Sequence, residues 1–328
     1  MLNNLVSKLR SSTGLKQSFI SATGSFIASA LAAIATILIT RKLGPELFGQ
    51  FAVAFALVQI LVRLNDAGLS TALSKFVAGT TNSQQQAKFL GVITKLRLIF
   101  TSLILLFGAF LVLPLAQVLV IPPGLIVSSF LVFVSTVYFE HLQYTLQALH
   151  LFTTAAGTNV AQAVFKFSVA LIFYIATDFK LVLPIFVFYM IAPGFPVLLS
   201  TKLLLEAVTK FFKLKLFEPE TQRVKKLVQH AAVGIISAGI IENIDLLLVK
   251  AYLTDFEAGL LGGVGRIAMF LYILAYALGN VLNPRVAQYK TKQHLAKYWR
   301  KAVLVLVACL VGFLISLPLA KPILTLTV

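Results

Sequence analysis

The sequence predicts an all-α polytopic membrane protein of about nine transmembrane helices plus the start of a tenth segment. Three observations carry this. Hydrophobic residues fill 59% of the 328 positions and charged residues only 12%, against about half and about a quarter in soluble domains. The apolar runs are about 17 to 25 residues long, which is what a helix needs to cross about 30 Å of hydrocarbon. Ten-residue segments of strand-like alternation are absent, which excludes a membrane barrel.

Residues 1–16 are polar and basic. The run at 17–40 is too long for the core of a signal peptide and is followed by further spans, so it reads as a retained first helix. Pro45 fits the first position of a second helix, where a missing N–H is no loss. That helix, 46–78, exceeds one crossing, so it either projects from the bilayer or bends at Gly68. A third span, 88–113, ends at Pro114, and a fourth begins after Pro122-Pro123-Gly124 and runs to Leu149. The fifth, 159–176, leads into a sixth, 181–207, interrupted by Pro193-Gly194-Phe195-Pro196. After a basic cytoplasmic linker at 208–226 come spans at 227–250, 256–286 and 299–317.

The chain therefore divides into a six-helix N-terminal lobe (1–207), the linker, and an incomplete C-terminal lobe of three helices (227–328). The lobes read as copies of one another. Leu253, Gly259, Val286-Ala287 and Ala296-Lys297-Tyr298 answer Leu43, Gly49, Val77-Ala78 and Ala87-Lys88-Phe89 at offsets of 209 or 210, and Leu-Pro-Leu-Ala recurs at 113 and 317. A near-constant offset over separate landmarks is the mark of an internal repeat.

The net charge of +17 follows topology. With the N-terminus cytoplasmic, most of the 28 basic residues, Arg97 among them, fall in inner loops and helix ends, and Arg41, Lys42, Lys180, Lys250 and Lys321 fall outside. This is the bias that orients membrane proteins, and no nucleic-acid partner is needed to explain it. Cys309 is the single cysteine and the four histidines lack ligand spacing, so neither a disulfide within the chain nor a metal site is expected. Phosphate loops, nucleophile elbows and zinc-protease motifs are absent, and the chain reads as a non-enzyme without a cofactor.

Charges inside spans are costly and mark function or pairing. Arg63 and Asp66 share a helix face and either pair with each other or serve a cavity. Lys166 continues a polar stripe with Asn159 and Gln162; it faces a cavity, pairs with Glu140, or snorkels. Arg266 follows Gly262-Gly263 and is a cavity cation or an interfacial anchor. Glu242 and Asp245 share a face with Gly234, Ala238 and Ile241; Glu242 is a candidate ion carrier and Asp245 fits an interfacial place near Lys250.

The string Thr40-Arg41-Lys42-Leu43-Gly44-Pro45-Glu46-Leu47-Phe48-Gly49-Gln50-Phe51, with Asp66-Ala67-Gly68-Leu69-Ser70, resembles the start of polysaccharide-biosynthesis exporters, the Wzx-type oligosaccharide flippases of the multidrug/oligosaccharidyl-lipid/polysaccharide superfamily. Glu242-Asn243-Ile244-Asp245-Leu246-Leu247-Leu248 and Leu282-Asn283-Pro284-Arg285 look like the start of their second half. The resemblance implies two lobes of about six helices around a cavity. It also implies alternating-access movement of a polyprenyl-pyrophosphate-linked oligosaccharide across the inner (cytoplasmic) membrane for glycan assembly. Measured so, the second lobe lacks about its last three helices and the chain reads as C-terminally truncated. On this expectation Arg63, Lys166 and Arg266 attract the pyrophosphate in one shared cavity, and Gln143, Asn159 and Gln162 meet the sugar. Two alternatives stand beside it. One is a cation-coupled multidrug exporter using Asp66, Glu140, Glu242 and Asp245; the other is a non-transporting membrane protein packed on a partner.

Overall fold

A computed structural model of the chain describes residues 13–176, 182–191, 194, 219–265 and the single positions 303, 307, 310 and 314. Every regular element among the described residues is helical. Helix α1 is Thr13–Asp66; a short α2, Leu69–Ala72, continues through a π turn at Leu73–Val77. Then come α3 (Ser83–Val118), α4 (Pro123–Ala148), α5 (Phe152–Ala176), α6 (Val182–Ile191), α7 (Pro219–Ile241) and α8 (Ile244–Tyr252). Residues 255–265 form a further helical stretch, α9. Among the described residues five helices, α1, α3, α4, α5 and α7, are long and apolar enough to cross a membrane. Arg266, the linker up to residue 218 and, apart from the single positions, the predicted ninth span lie outside the described residues.

The 54 residues of α1 would reach roughly 81 Å if straight, far beyond one crossing. The break is Gly44, at φ 76° and ψ 168°, a conformation open to a residue without Cβ. Neighbours show that the chain reverses there. In the first limb a Cβ at Gly24 would meet Ala156, and Lys42 donates to the Tyr174 carbonyl at 3.3 Å, so this limb runs alongside α5. In the second limb Ala54 lies opposite Ser129 and Arg63 opposite Glu140, so this limb runs alongside α4. The turn at residues 149–151 and the bond from the Gln143 amide to Thr158 Oγ1, 2.7 Å, make α4 and α5 antiparallel. The two limbs of α1 are therefore antiparallel as well, with a Gly44 end and, opposite it, a Gly68 end.

Gly68, at φ 99°, makes the bend that the sequence offered as one of two outcomes for the long second span. Asp66 secures it, accepting from the Ser70 N–H (3.1 Å) and hydroxyl (2.7 Å). A Cβ at Gly68 would also come 2.7 Å from that of Ala231 on α7. Gly68→Ala is expected to cost at least about 1 to 2 kcal/mol, the penalty of a left-handed backbone for a residue with a Cβ. The check is thermal unfolding in detergent, where an unshifted midpoint would count against a fixed bend.

Other predicted boundaries move. Helix α3 runs through Pro114 to Val118: in lipid, abandoning the helix leaves more carbonyls unpaired than the one lost proline donor. Helix α5 starts at Phe152, seven residues earlier than expected, because the Thr158 hydroxyl folds back on the Thr154 and Ala155 carbonyls and so satisfies itself within the helix. Residues 219–226, expected as linker, are the first turns of α7. The expected seventh span is two helices, parted at Glu242-Asn243, where Asn243 caps the Gly239 carbonyl at 3.0 Å.

The core surrounds the second limb of α1. Phe48, Phe51, Val53, Ala54, Val58 and Val62 are buried on several faces of it, as in a helix enclosed by others. Phe51 meets Phe186 and Tyr189 of α6 edge-on at 5.4 and 6.0 Å. By contrast the Gly44-side half of α3 exposes Leu106, Phe107, Phe110 and Leu113, a face that hydrocarbon tails solvate as well as leucine does.

Candidate functional site

Two ion pairs occupy the interior where α1, α3 and α4 meet. Arg97 of α3 is fully buried and its Nη2 donates to Asp66 Oδ1 at 2.8 Å. It therefore belongs to the interior, a correction to its expected place among the inner-loop charges. Helix α3 presents Thr94, Arg97 and Thr101 at spacings of three and four, hence on one face. Buried Asn65 donates to Thr101 Oγ1 at 2.9 Å, tying that face to α1. Thr94 Oγ1 is 2.8 Å from the Leu90 carbonyl and 2.9 Å from His141 Nε2, which links α3 to α4. Sequence reasoning did not single out Arg97, Asn65 or His141 as site residues.

The second pair is looser. Arg63 Nη1 stands 3.6 Å from Glu140 Oε2, with the side chains 31% and 22% exposed. Arg63 thus takes Glu140, and Asp66 is taken by Arg97, so the pairing within α1 that was one of two expectations is not formed. The Arg63 stem lies against α7, since a Cβ on Gly239 would run into its Cβ and Cγ. Asp66 and Glu242 are also within electrostatic range of this guanidinium. Arg63 therefore sits at a three-way junction of α1, α4 and α7.

The other predicted residues spread out. Lys166 stands 5.3 Å above the Tyr189 ring, a cation–π arrangement on α6. Asn159 and Gln162 are half-buried, two turns and one turn before it on α5. Counting from the Gly44 end at 1.5 Å per residue, Lys166 and Arg63 differ in depth by roughly 15 Å, so the structure does not join them in one cluster. Gln143 is committed to Thr158 between α4 and α5. Glu242 and Asp245 are exposed, and the break in the helix ends the continuous face they were expected to share. Asp245 accepts the Leu246 N–H at 2.8 Å, and Lys250 pairs with Asp255 at 2.8 Å. Arg266 lies outside the described residues.

At the Gly44 end the second limb of α1 touches α9 backbone to backbone. A Cβ at Gly49 would overlap the Asp255 carbonyl, and one at Gly259 would overlap the Pro45 carbonyl. Gly262 fits closely against Ala52, and Gln50 donates to Asp255 Oδ2 at 3.1 Å.

Comparison with known proteins adds three findings. A family model described as polysaccharide biosynthesis protein matches residues 15–290. A solved structure named protein A is similar in fold, with a TM-score of 0.60 and 18% identity over 83% of this chain. The chain spans 64% of the length of that structure. The curated proteins hold no significant match.

Proposed function

Since the chain belongs to the polysaccharide biosynthesis protein family, we propose that this multi-pass membrane protein is a carrier that moves a polyprenyl-pyrophosphate-linked oligosaccharide across the cytoplasmic membrane. Members of the family are transporters and flippases rather than enzymes. The observation that carries the reading is Arg63. It is a part-exposed guanidinium within a span, held only loosely by its carboxylate, at the seam between the first lobe and α7. A cation so placed suits an anionic headgroup entering along that seam. Lys166, higher on α5, offers a second station for the charge, with Asn159 and Gln162 beside it for the sugar. Arg266 is proposed to complete the set. The cation-coupled exporter is less well supported, because Asp66 is saturated by Arg97 and by two donors from Ser70.

Movement is proposed to be rocking of two related lobes joined by the linker. The Gly49–Gly259 contact supports this. Pro45 and Asp255 are 210 residues apart, as are Gly49 and Gly259, so the contact of Gly49 with the Asp255 carbonyl and that of Gly259 with the Pro45 carbonyl are each other's counterparts. Such reciprocity is what a local two-fold axis produces. The lobes would then be closed at the Gly44 end, taken as the outer side with the N-terminus cytoplasmic. Lys75, Lys88, Arg223, Lys225 and Lys226 on elements of the opposite end support that orientation.

The test is reconstitution of the full chain into vesicles carrying fluorescent polyprenyl-pyrophosphate sugars, read by a membrane-impermeant quencher. Label should exchange faster than in empty vesicles. Arg63→Ala should slow it roughly tenfold to hundredfold, the worth of a charged hydrogen bond of about 1.5 to 3 kcal/mol. Exchange no faster than without protein would sink the reading.

A further inference from the structure

We propose that Glu140 takes up a proton when an anionic headgroup draws Arg63 away from it, so that anion binding at the α1–α4–α7 junction depends on pH. This rests on the headgroup reading of Arg63. The two interior ion pairs differ in the property that matters. Arg97–Asp66 is short and sealed, and the Asp66 carboxylate accepts three hydrogen bonds. Arg63–Glu140 is 3.6 Å apart and part-exposed, and the buried Glu140 Oε2 accepts no hydrogen bond. One pair is built to hold and the other to exchange.

The groups facing Glu140 decide the outcome of an exchange. From α1 come Arg63 and Asp66, and from α3 Arg97; Glu242 acts from α7 on Arg63. Arg97 is already committed to Asp66, and Asp66 repels a second carboxylate. When a phosphate oxygen takes Arg63, the buried Oε2 of Glu140 is left with neither a hydrogen-bond donor nor a cation beside it. That buried oxygen is relieved by binding a proton. Water at the Gly68 end, roughly 12 Å away along α4, is the nearer source. The charges balance: before exchange Arg63 is matched by Glu140, and afterwards by the phosphate, with Glu140 neutral.

The bound state then holds one more proton than the free state, so lower pH favours binding. Affinity falls about tenfold per unit rise in pH across the window between the protonation midpoint of Glu140 in the free protein and that in the bound protein.

The experiment is calorimetry of farnesyl pyrophosphate binding to the detergent-solubilised full chain, in two buffers of different ionisation enthalpy, which counts protons directly. The expected result is uptake of about one proton per ligand, abolished in Glu140→Gln with binding retained. Binding without proton uptake in the unaltered chain overturns the exchange and leaves the headgroup reading standing. Uptake unchanged in Glu140→Gln assigns the proton elsewhere and overturns it too. Absence of any binding removes the headgroup reading itself. Because the unaltered chain already gives the proton count, the outcome does not hang on the variant folding. Inorganic pyrophosphate in parallel separates sources. Weaker binding than farnesyl pyrophosphate assigns a lipid headgroup; equal binding keeps the exchange and assigns a free diphosphate.

Discussion

Asp66→Ala is expected to cost about 3 to 5 kcal/mol of stability, the usual loss when one member of a buried ion pair is removed. Arg97 is fully buried, and its Nε and Nη1 already lack hydrogen-bond partners, so Asp66 is the one acceptor of its charge among the described residues. Removing that acceptor strands a guanidinium that cannot be deprotonated. The substitution also takes away both Ser70 bonds that hold the bend at Gly68. Unfolding in detergent, followed thermally or by denaturant, should show a large drop in midpoint. The double variant Asp66→Leu with Arg97→Met should recover the part of the loss that comes from the stranded charge, because an apolar pair carries no desolvation penalty, but not the part from the Ser70 bonds. A single-variant loss below about 1 kcal/mol would mean that Arg97 finds another acceptor, and would contradict the geometry.

The fate of Arg97 also shows how far the sequence could be read. The helical class and the long apolar helices among the described residues were legible because apolar length is a local property, whereas Pro114, expected to end the third span, does not end it. Gly44-Pro45, Gly68 and Pro122-Pro123-Gly124 mark real reversals, bends and starts. Arg97 stood close to Lys88 and Lys95 and so passed as one more basic residue at a helix end. What moves it inside is the 36-residue length of α3 and a partner 31 residues away. A signal was present: Thr94, Arg97 and Thr101 recur at helical spacing, as Asn159, Gln162 and Lys166 do on α5. The partner of Arg63 was not legible. Asp66 is three residues away on the same helix and Glu140 is on another, and helix packing alone chose between them. For the same reason spacing within α5 could not tell that Lys166 meets Tyr189 rather than Glu140.

Gly49→Val is expected to part α1 from α9 at the Gly44 end. The atom in its way is the Asp255 carbonyl, part of the backbone, so no rotamer change relieves the clash and the helices themselves must separate. Overpacking of this kind costs about 1 to 3 kcal/mol, which would raise the population of a separated arrangement roughly five- to hundredfold. The readout is Ala52→Cys placed in a Cys309→Ser background. Ala52 is 1% exposed and packs on Gly262, so a thiol there is shielded while the helices touch. Adding Gly49→Val should speed its labelling by a membrane-impermeant maleimide by the same factor. Gly259→Val, which would strike the Pro45 carbonyl from the opposite helix, should reproduce the effect. Equal gains from both substitutions are what a two-fold contact requires. A gain from one alone would leave a close helix crossing but remove the support it lends to paired lobes, and no gain from either would mean that this contact does not close the Gly44 end.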